Sequence, residues 1–134
     1  MDIKYNLIFH HTGCITHSIE NSKLAYAAMG FGKCSDTFVI SAQKVKVCFI
    51  EISPGIFLEL VEPFEDNSTL HKYLKSKTTF YHLGFLTNEF ENTIEQLQKD
   101  GFYLINTFNS EAFSNKLCAF LYTSEMQLIE IIQQ

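Results

Sequence analysis

Tyr81-His82-Leu83-Gly84-Phe85-Leu86-Thr87 decides how this chain is read, because an earlier stretch repeats it: His10-His11-Thr12-Gly13-Cys14-Ile15-Thr16. Both copies spell His-x-Gly-x-x-Thr. The histidines are 82 − 11 = 71 residues apart. The same shift carries Gly30 onto Gly101, Phe31 onto Phe102 and Phe49 onto Phe120. It also carries Glu59, in Phe57-Leu58-Glu59-Leu60, onto Glu130, in Leu128-Ile129-Glu130-Ile131. A constant offset over the whole length marks an internal duplication without insertions. Two histidines and two glutamates coincide in it, and imidazole with carboxylate is metal-ligand chemistry.

Working outward, each copy reads β-α-β-β-β. In the first, a strand covers about Asn6 to Ile15. A helix starts near Ser18 and runs through Leu24, Tyr26 and Ala27 to Met29. Gly30 suits the left-handed residue past a helix end. Strands follow at Thr37–Ser41, Val45–Ile52 and Ile56–Val61, the last two joined by a Pro54-Gly55 turn. Pro63 to Thr79 is a connector outside the repeat, with a helix expected over Thr69–Lys77 and Ser68 as its N-cap. In the second copy, Phe80–Leu86 is a strand. Asn88 and Glu91 read as a capping box. Phe90, Ile94 and Leu97 share one helix face, and Gly101 closes the helix. Strands follow near Phe102–Thr107, Lys116–Tyr122 and Met126–Ile132. Asn109 to Asn115 reads as a polar loop without a repeat signature. The expected organisation is one α+β domain, with modules at about 6–62 and 80–134.

Composition narrows the partners. The 134 residues are 46% hydrophobic and 14% aromatic, enough for a buried core. The formal charge is −5, with ten lysines, no arginine and no basic run, which argues against nucleic acid. Without arginine, an anionic substrate must be held by Lys, backbone N–H groups or a metal. Cys14, Cys34, Cys48 and Cys118 form no CxxC pair and read as reduced thiols. Met1-Asp2-Ile3-Lys4 does not open a signal peptide, and no apolar run approaches the ~18 residues of a membrane span. The expected compartment is cytoplasmic.

Strand alternation explains why the four ligand candidates belong together. His11 shares its face with Phe9 and Gly13, and His82 with Phe80 and Gly84. Glu59 lies with Phe57 and Val61, and Glu130 with Leu128 and Ile132. The opposite face is also apolar, at Leu58, Leu60, Ile129 and Ile131, so these strands are covered on both sides. One face should take the helices and the other should curve around a cavity. A buried carboxylate without compensation is costly. A divalent cation compensates both charges, and the His11, Glu59, His82, Glu130 set suits Ni, Co, Mn, Fe or Zn about equally. Two positions remain open for water or substrate, which suits catalysis better than a closed structural site. His10 should point toward the helices. His17 and His71 read as solvated, and Lys46 and Lys116 as surface charge.

The chain resembles the vicinal oxygen chelate superfamily, over essentially its whole length. That fold pairs two βαβββ modules into a curved mixed sheet that cups a metal. Phe57-Leu58-Glu59-Leu60-Val61-Glu62-Pro63, the following Glu65-Asp66-Asn67-Ser68, Leu70-His71-Lys72-Tyr73-Leu74 and Tyr81-His82-Leu83-Gly84-Phe85 look like methylmalonyl-CoA epimerases. The His/Glu/His/Glu set is similar to bacterial-type glyoxalase I. The Gly-rich stretch and His-Pro pair of epimerases are replaced by Asn109-Ser110-Glu111-Ala112-Phe113 and Tyr122-Thr123-Ser124, and the Asp-Pro-Asp-Gly turn of glyoxalase I is absent. The resemblance implies a metal-dependent isomerase or lyase. It would remove a proton next to a carbonyl and stabilise an enediolate, with Glu130, and then Glu59, as the acid–base groups. A CoA or glutathione adduct is the implied small-molecule substrate, and a homodimer the implied assembly. The alternatives are a metal-dependent dioxygenase, disfavoured by the extra Glu59, and a non-catalytic drug-binding or resistance protein, which usually lacks the ligands.

Overall fold

Each helix of the repeat begins where a strand-end threonine folds back onto it. The computed structural model describes residues 6–134, so the Met1–Lys4 expectation lies outside the described residues. Strand β1 is Ile8–Ile15 and helix α1 is Ile19–Ala28. Thr16 Oγ1 accepts from the Ser18 N–H at 3.2 Å, and Ser18 Oγ from the Asn21 N–H at 3.1 Å. The next orphan donor, Ile19 N–H, bonds the Glu62 carboxylate at 2.9 Å. Strands β2 (Phe38–Ile40), β3 (Val45–Ser53) and β4 (Ile56–Pro63) follow, then α2 (Ser68–Lys75).

The second copy is β5 (Phe80–Thr87), α3 (Phe90–Lys99), β6 (Tyr103–Ser110), β7 (Lys116–Tyr122) and β8 (Leu128–Gln133). Its helix start repeats the first at the same offset. Thr87 Oγ1 accepts from the Glu89 N–H at 3.1 Å, and Gln133 Oε1 from the Phe90 N–H at 3.3 Å. The Thr16–Ser22 hydroxyl pair, 2.7 Å apart, recurs as Thr87–Thr93 at 3.3 Å. The expected Asn88–Glu91 box is therefore corrected: the cap position is Glu89, without a side-chain bond, and Asn88 instead accepts from Asn6 Nδ2 at 3.1 Å. The cap of α2 is also corrected, from Ser68 to Asn67, whose side chain accepts from the Leu70 N–H at 3.2 Å.

Glu62 brings a formal charge to the positive end of α1, whereas Gln133 brings a neutral amide to α3. A hydrogen bond to a charged group contributes about 1.5–3 kcal/mol, against about 0.5–1.5 for a neutral one. Glu62→Ala is therefore expected to destabilise the chain by more than Gln133→Ala. Urea unfolding of both variants checks this, and equal midpoints would contradict it.

The described residues form two compact units, His11–Tyr81 and residues 6–10 with His82–Gln134. In the first, strand order is β2-β3-β4-β1, with β1 parallel and β3 antiparallel to β4. In the second it is β6-β7-β8-β5, with β5 parallel and β7 antiparallel to β8. Each sheet buries one face under its helix. Ile19 of α1 packs with Cys48, Ile50 and Leu60, against Tyr26 and Leu58. Phe90, Ile94 and Leu97 of α3 pack with Ala119, Leu121, Ile129 and Ile131, against Leu7 and Phe85. The helix-facing assignments of Leu58, Leu60, Ile129 and Ile131 hold. The helices are unequal: α1 buries Ile19 alone and leaves Leu24 71% exposed, while α3 buries four residues.

Gly30 (φ 99°) and Gly101 (φ 95°) take the left-handed conformation past the helix ends, which an L side chain resists. The stretch Asn109–Asn115 needs correction, since it does carry the repeat. Ser41–Gln43 and Glu111–Phe113 are both 3-10 turns, each closed by a left-handed residue, Lys44 (φ 54°) and Ser114 (φ 55°). The offset there is 111 − 41 = 70 and returns to 116 − 45 = 71 at β7. The duplication is thus not free of insertions: Asn115, itself left-handed at φ 61°, is the additional residue.

Two buried histidine–glutamate pairs as a candidate metal centre

Glu59 follows from the parallel register of β1 on β4, which sets His11 beside Phe57 and Gly13 beside Glu59. The β5–β8 register sets Gly84 beside Glu130 in the same way. Each glycine lies on the ligand face of its strand, so no side chain separates His from Glu. His11 Nε2 lies 3.6 Å from Glu59 Oε1, and His82 Nε2 lies 3.4 Å from Glu130 Oε1. The four residues are 0%, 4%, 1% and 4% exposed in the order His11, Glu59, His82, Glu130. All four are of a type that can hold a metal ion.

The N···O separations are longer than an N–H···O hydrogen bond of 2.7–3.2 Å. They are short enough for both atoms of each pair to reach one common cation, should it be bound. The donor set fits the group the duplication implies: imidazole nitrogen and carboxylate oxygen, without thiolate. Cys48 stays outside it. Burial raises the Cys48 thiol above its usual range, and its Sγ donates to the Ser35 carbonyl at 3.4 Å.

Phe49 and Phe120 share the 71-residue offset, but nothing in the sequence assigns them a role. The structure supplies one. Phe49 pairs with Glu59 across β3–β4 and sets its ring edge-on to His11 at 5.6 Å. Phe120 pairs with Glu130 across β7–β8 and meets His82 edge-on at 5.2 Å. Each aromatic ring shields one His/Glu pair and fixes its imidazole by packing. Phe49 and Phe57 also line a cavity of about 210 Å³ with Lys33, Cys34, Ser35 and Glu51.

The remaining histidines separate. His10 is half-buried with Phe113 edge-on at 5.3 Å. His17 is exposed, as expected. His71 is not simply solvated: it is half-buried, and its Nε2 lies 2.9 Å from the Phe64 carbonyl oxygen. Lys46 is an exposed partner of Glu62 at 4.0 Å.

A family model described as the glyoxalase/bleomycin resistance protein/dioxygenase superfamily matches residues 10–120. The chain belongs to this superfamily. Among its relatives is the uncharacterised protein YqjC of Bacillus subtilis, 27% identical over 127 residues, 92% of this chain and 89% of that protein. A hypothetical protein of Bacillus halodurans has a similar crystal structure, with TM-score 0.83, 21% identity and coverage of 96% and 95% of the two chains. A methylmalonyl-CoA epimerase from Mycobacterium tuberculosis matches with TM-score 0.85 and 15% identity over 98% of this chain and 91% of its own. A Streptomyces coelicolor methylmalonyl-CoA epimerase in complex with 2-nitronate-propionyl-CoA matches with TM-score 0.78 and 22% identity over 92% and 94%. These likenesses show the glyoxalase-like α+β fold that the repeat and the vicinal oxygen chelate resemblance imply. Among the described residues, no helix of this superfamily member is long and apolar enough to cross a membrane.

Proposed function

We propose that His11, Glu59, His82 and Glu130 together hold one divalent cation in a metal-dependent isomerase or lyase. The carrying observation is the repeated pair: one buried imidazole and one buried carboxylate in each unit, at ligand spacing and at equivalent positions. When bound, the cation supplies Lewis acidity to two adjacent oxygens of a substrate. Glu130 acts as general base on the proton next to the carbonyl; Glu59, protonated when the cycle begins, returns its own proton to the enediolate, and the two carboxyls are reset by proton exchange with solvent. The neighbouring strands support this choice of groups. On the ligand face, β3 presents Val45, Val47 and Phe49, and β7 presents Cys118 and Phe120. Glu51, at the rim, is tied to Lys33 at 3.3 Å. Phe49 and Phe120 exclude water from beside the imidazoles, which strengthens every charge interaction there.

The epimerase likeness favours a CoA thioester, and the ligand set favours a glutathione adduct equally. Metal analysis of the purified protein is expected to give one divalent ion per chain. After reconstitution, methylmalonyl-CoA or the hemithioacetal of methylglyoxal and glutathione should exchange its acidic proton for deuterium, followed by NMR. Metal-free protein that resists reconstitution would sink the reading and favour a binding protein. Tightly held Fe(II) with oxygen uptake would favour a dioxygenase.

A further inference from the structure

A cleft of about 510 Å³ in the first unit is lined by Ser68, His71, Lys72, Leu74 and Lys75 of α2, with His17 and Glu65. The polar α2 positions, Ser68, His71, Lys72 and Lys75, follow the i, i+3, i+4, i+7 spacing of a single helix face. We propose that this cleft is a binding site for a phosphoryl group, free or carried on a larger molecule.

Charge pairing is the support. The described lysines number nine, and five are in ion pairs: Lys23 with Glu20, Lys33 with Glu51, Lys44 with Asp66, Lys46 with Glu62 and Lys99 with Glu95. Lys72 and Lys75 are not among them. In a chain of net charge −5, two such ammonium groups lie one turn apart on the wall of a cleft. Two adjacent like charges repel until an anion lies between them. His71 contributes a fixed wall rather than a donor. A carbonyl only accepts, so the bond to the Phe64 oxygen places a hydrogen on Nε2 and fixes the ring in the wall. His17, an exposed lining residue, adds a further imidazole. The chain has no arginine, so planar bidentate capture is unavailable to it, and Lys as a point charge is what remains for phosphate. Two ammonium groups against the single Glu65 carboxylate leave the cleft net positive even with both histidines neutral.

The test uses the full chain as purified and inorganic pyrophosphate as probe. Calorimetric titration should show saturable binding. Lys72→Gln with Lys75→Gln together should weaken it about tenfold or more, about 1.4 kcal/mol, while Lys99→Gln leaves it unchanged. Pyrophosphate should also protect Lys72 and Lys75, but not Lys99, from acetylation, read by mass spectrometry. Binding that is absent, or that Lys99→Gln reduces equally, overturns the site. A second arm with coenzyme A distinguishes the source and rests on the proposed function: tighter binding than pyrophosphate, lost in the same double variant, makes the cleft a substrate handle. Equal binding makes it a free-phosphate site. Neither arm reads turnover, so an inactive metal centre would leave this result intact.

Discussion

Glu130→Gln is expected to keep the fold and to lower kcat by about 10³-fold, within the 10²–10⁴ range of a lost general base. That factor corresponds to about 4 kcal/mol of barrier. The substitution conserves shape at a position only 4% exposed, so the helix-facing neighbours Ile129 and Ile131 keep their packing against α3. What changes is charge and proton affinity: an amide has neither the negative charge nor the basicity to take a proton from carbon. Because Glu130 is also proposed as a ligand, the assay needs saturating metal, and kcat rather than kcat/KM is the informative quantity. Circular dichroism of the variant should match the parent. Unchanged kcat would remove Glu130 from proton transfer and pass the role to Glu59.

His82→Ala should act on the other half of the proposal. Loss of an outer partner of a metal ligand already costs 10–100-fold in affinity, so loss of the ligand itself should cost at least about 100-fold. Stability gives an independent readout. A ligand at 100 times its Kd stabilises the native state by about 2.7 kcal/mol. Adding metal should therefore raise the melting temperature of the parent and leave that of His82→Ala nearly unmoved. Removing the ring next to Phe120 also leaves a small cavity, which lowers the metal-free stability of the variant. The two effects separate because only one depends on metal concentration. A variant that is stabilised by metal as strongly as the parent would remove His82 from the ligand set.

The four candidate ligands stand out in the sequence because duplication tags them twice. A single glutamate in an apolar strand is ambiguous, but Glu59 and Glu130 stand at one offset from His11 and His82, and the strand registers put each beside a glycine. The strands and the ends of both repeat helices were legible for the same reason, through Gly30 and Gly101. The start of α1 reads locally, since Ser18 does cap it, but that of α3 does not, and neither helix's N1 partner does. The orphan N1 N–H groups are satisfied by Glu62 and Gln133, each 43 residues away in sequence, and local capping rules search only the adjacent turn. The second 3-10 turn was hidden because its left-handed residue is Ser114, where pattern reading expects Gly or Asn. His71 was misjudged because its partner is the backbone carbonyl of Phe64, which carries no side-chain signal.

The start of β1 and the two residues before it belong with the unit that contains His82–Gln134: Leu7 packs against the α3 core, Phe9 meets Phe85 at 5.6 Å, and Asn6 donates to Asn88. The far end of the polypeptide therefore cannot be finished as a folding unit from its own contiguous stretch. Trimming the amino terminus past Phe9 is, physically, an injury to the carboxyl-terminal half. A fragment beginning at Phe80 would meet the ribosome's exit without the hydrophobic wedge its own helix layer closes upon.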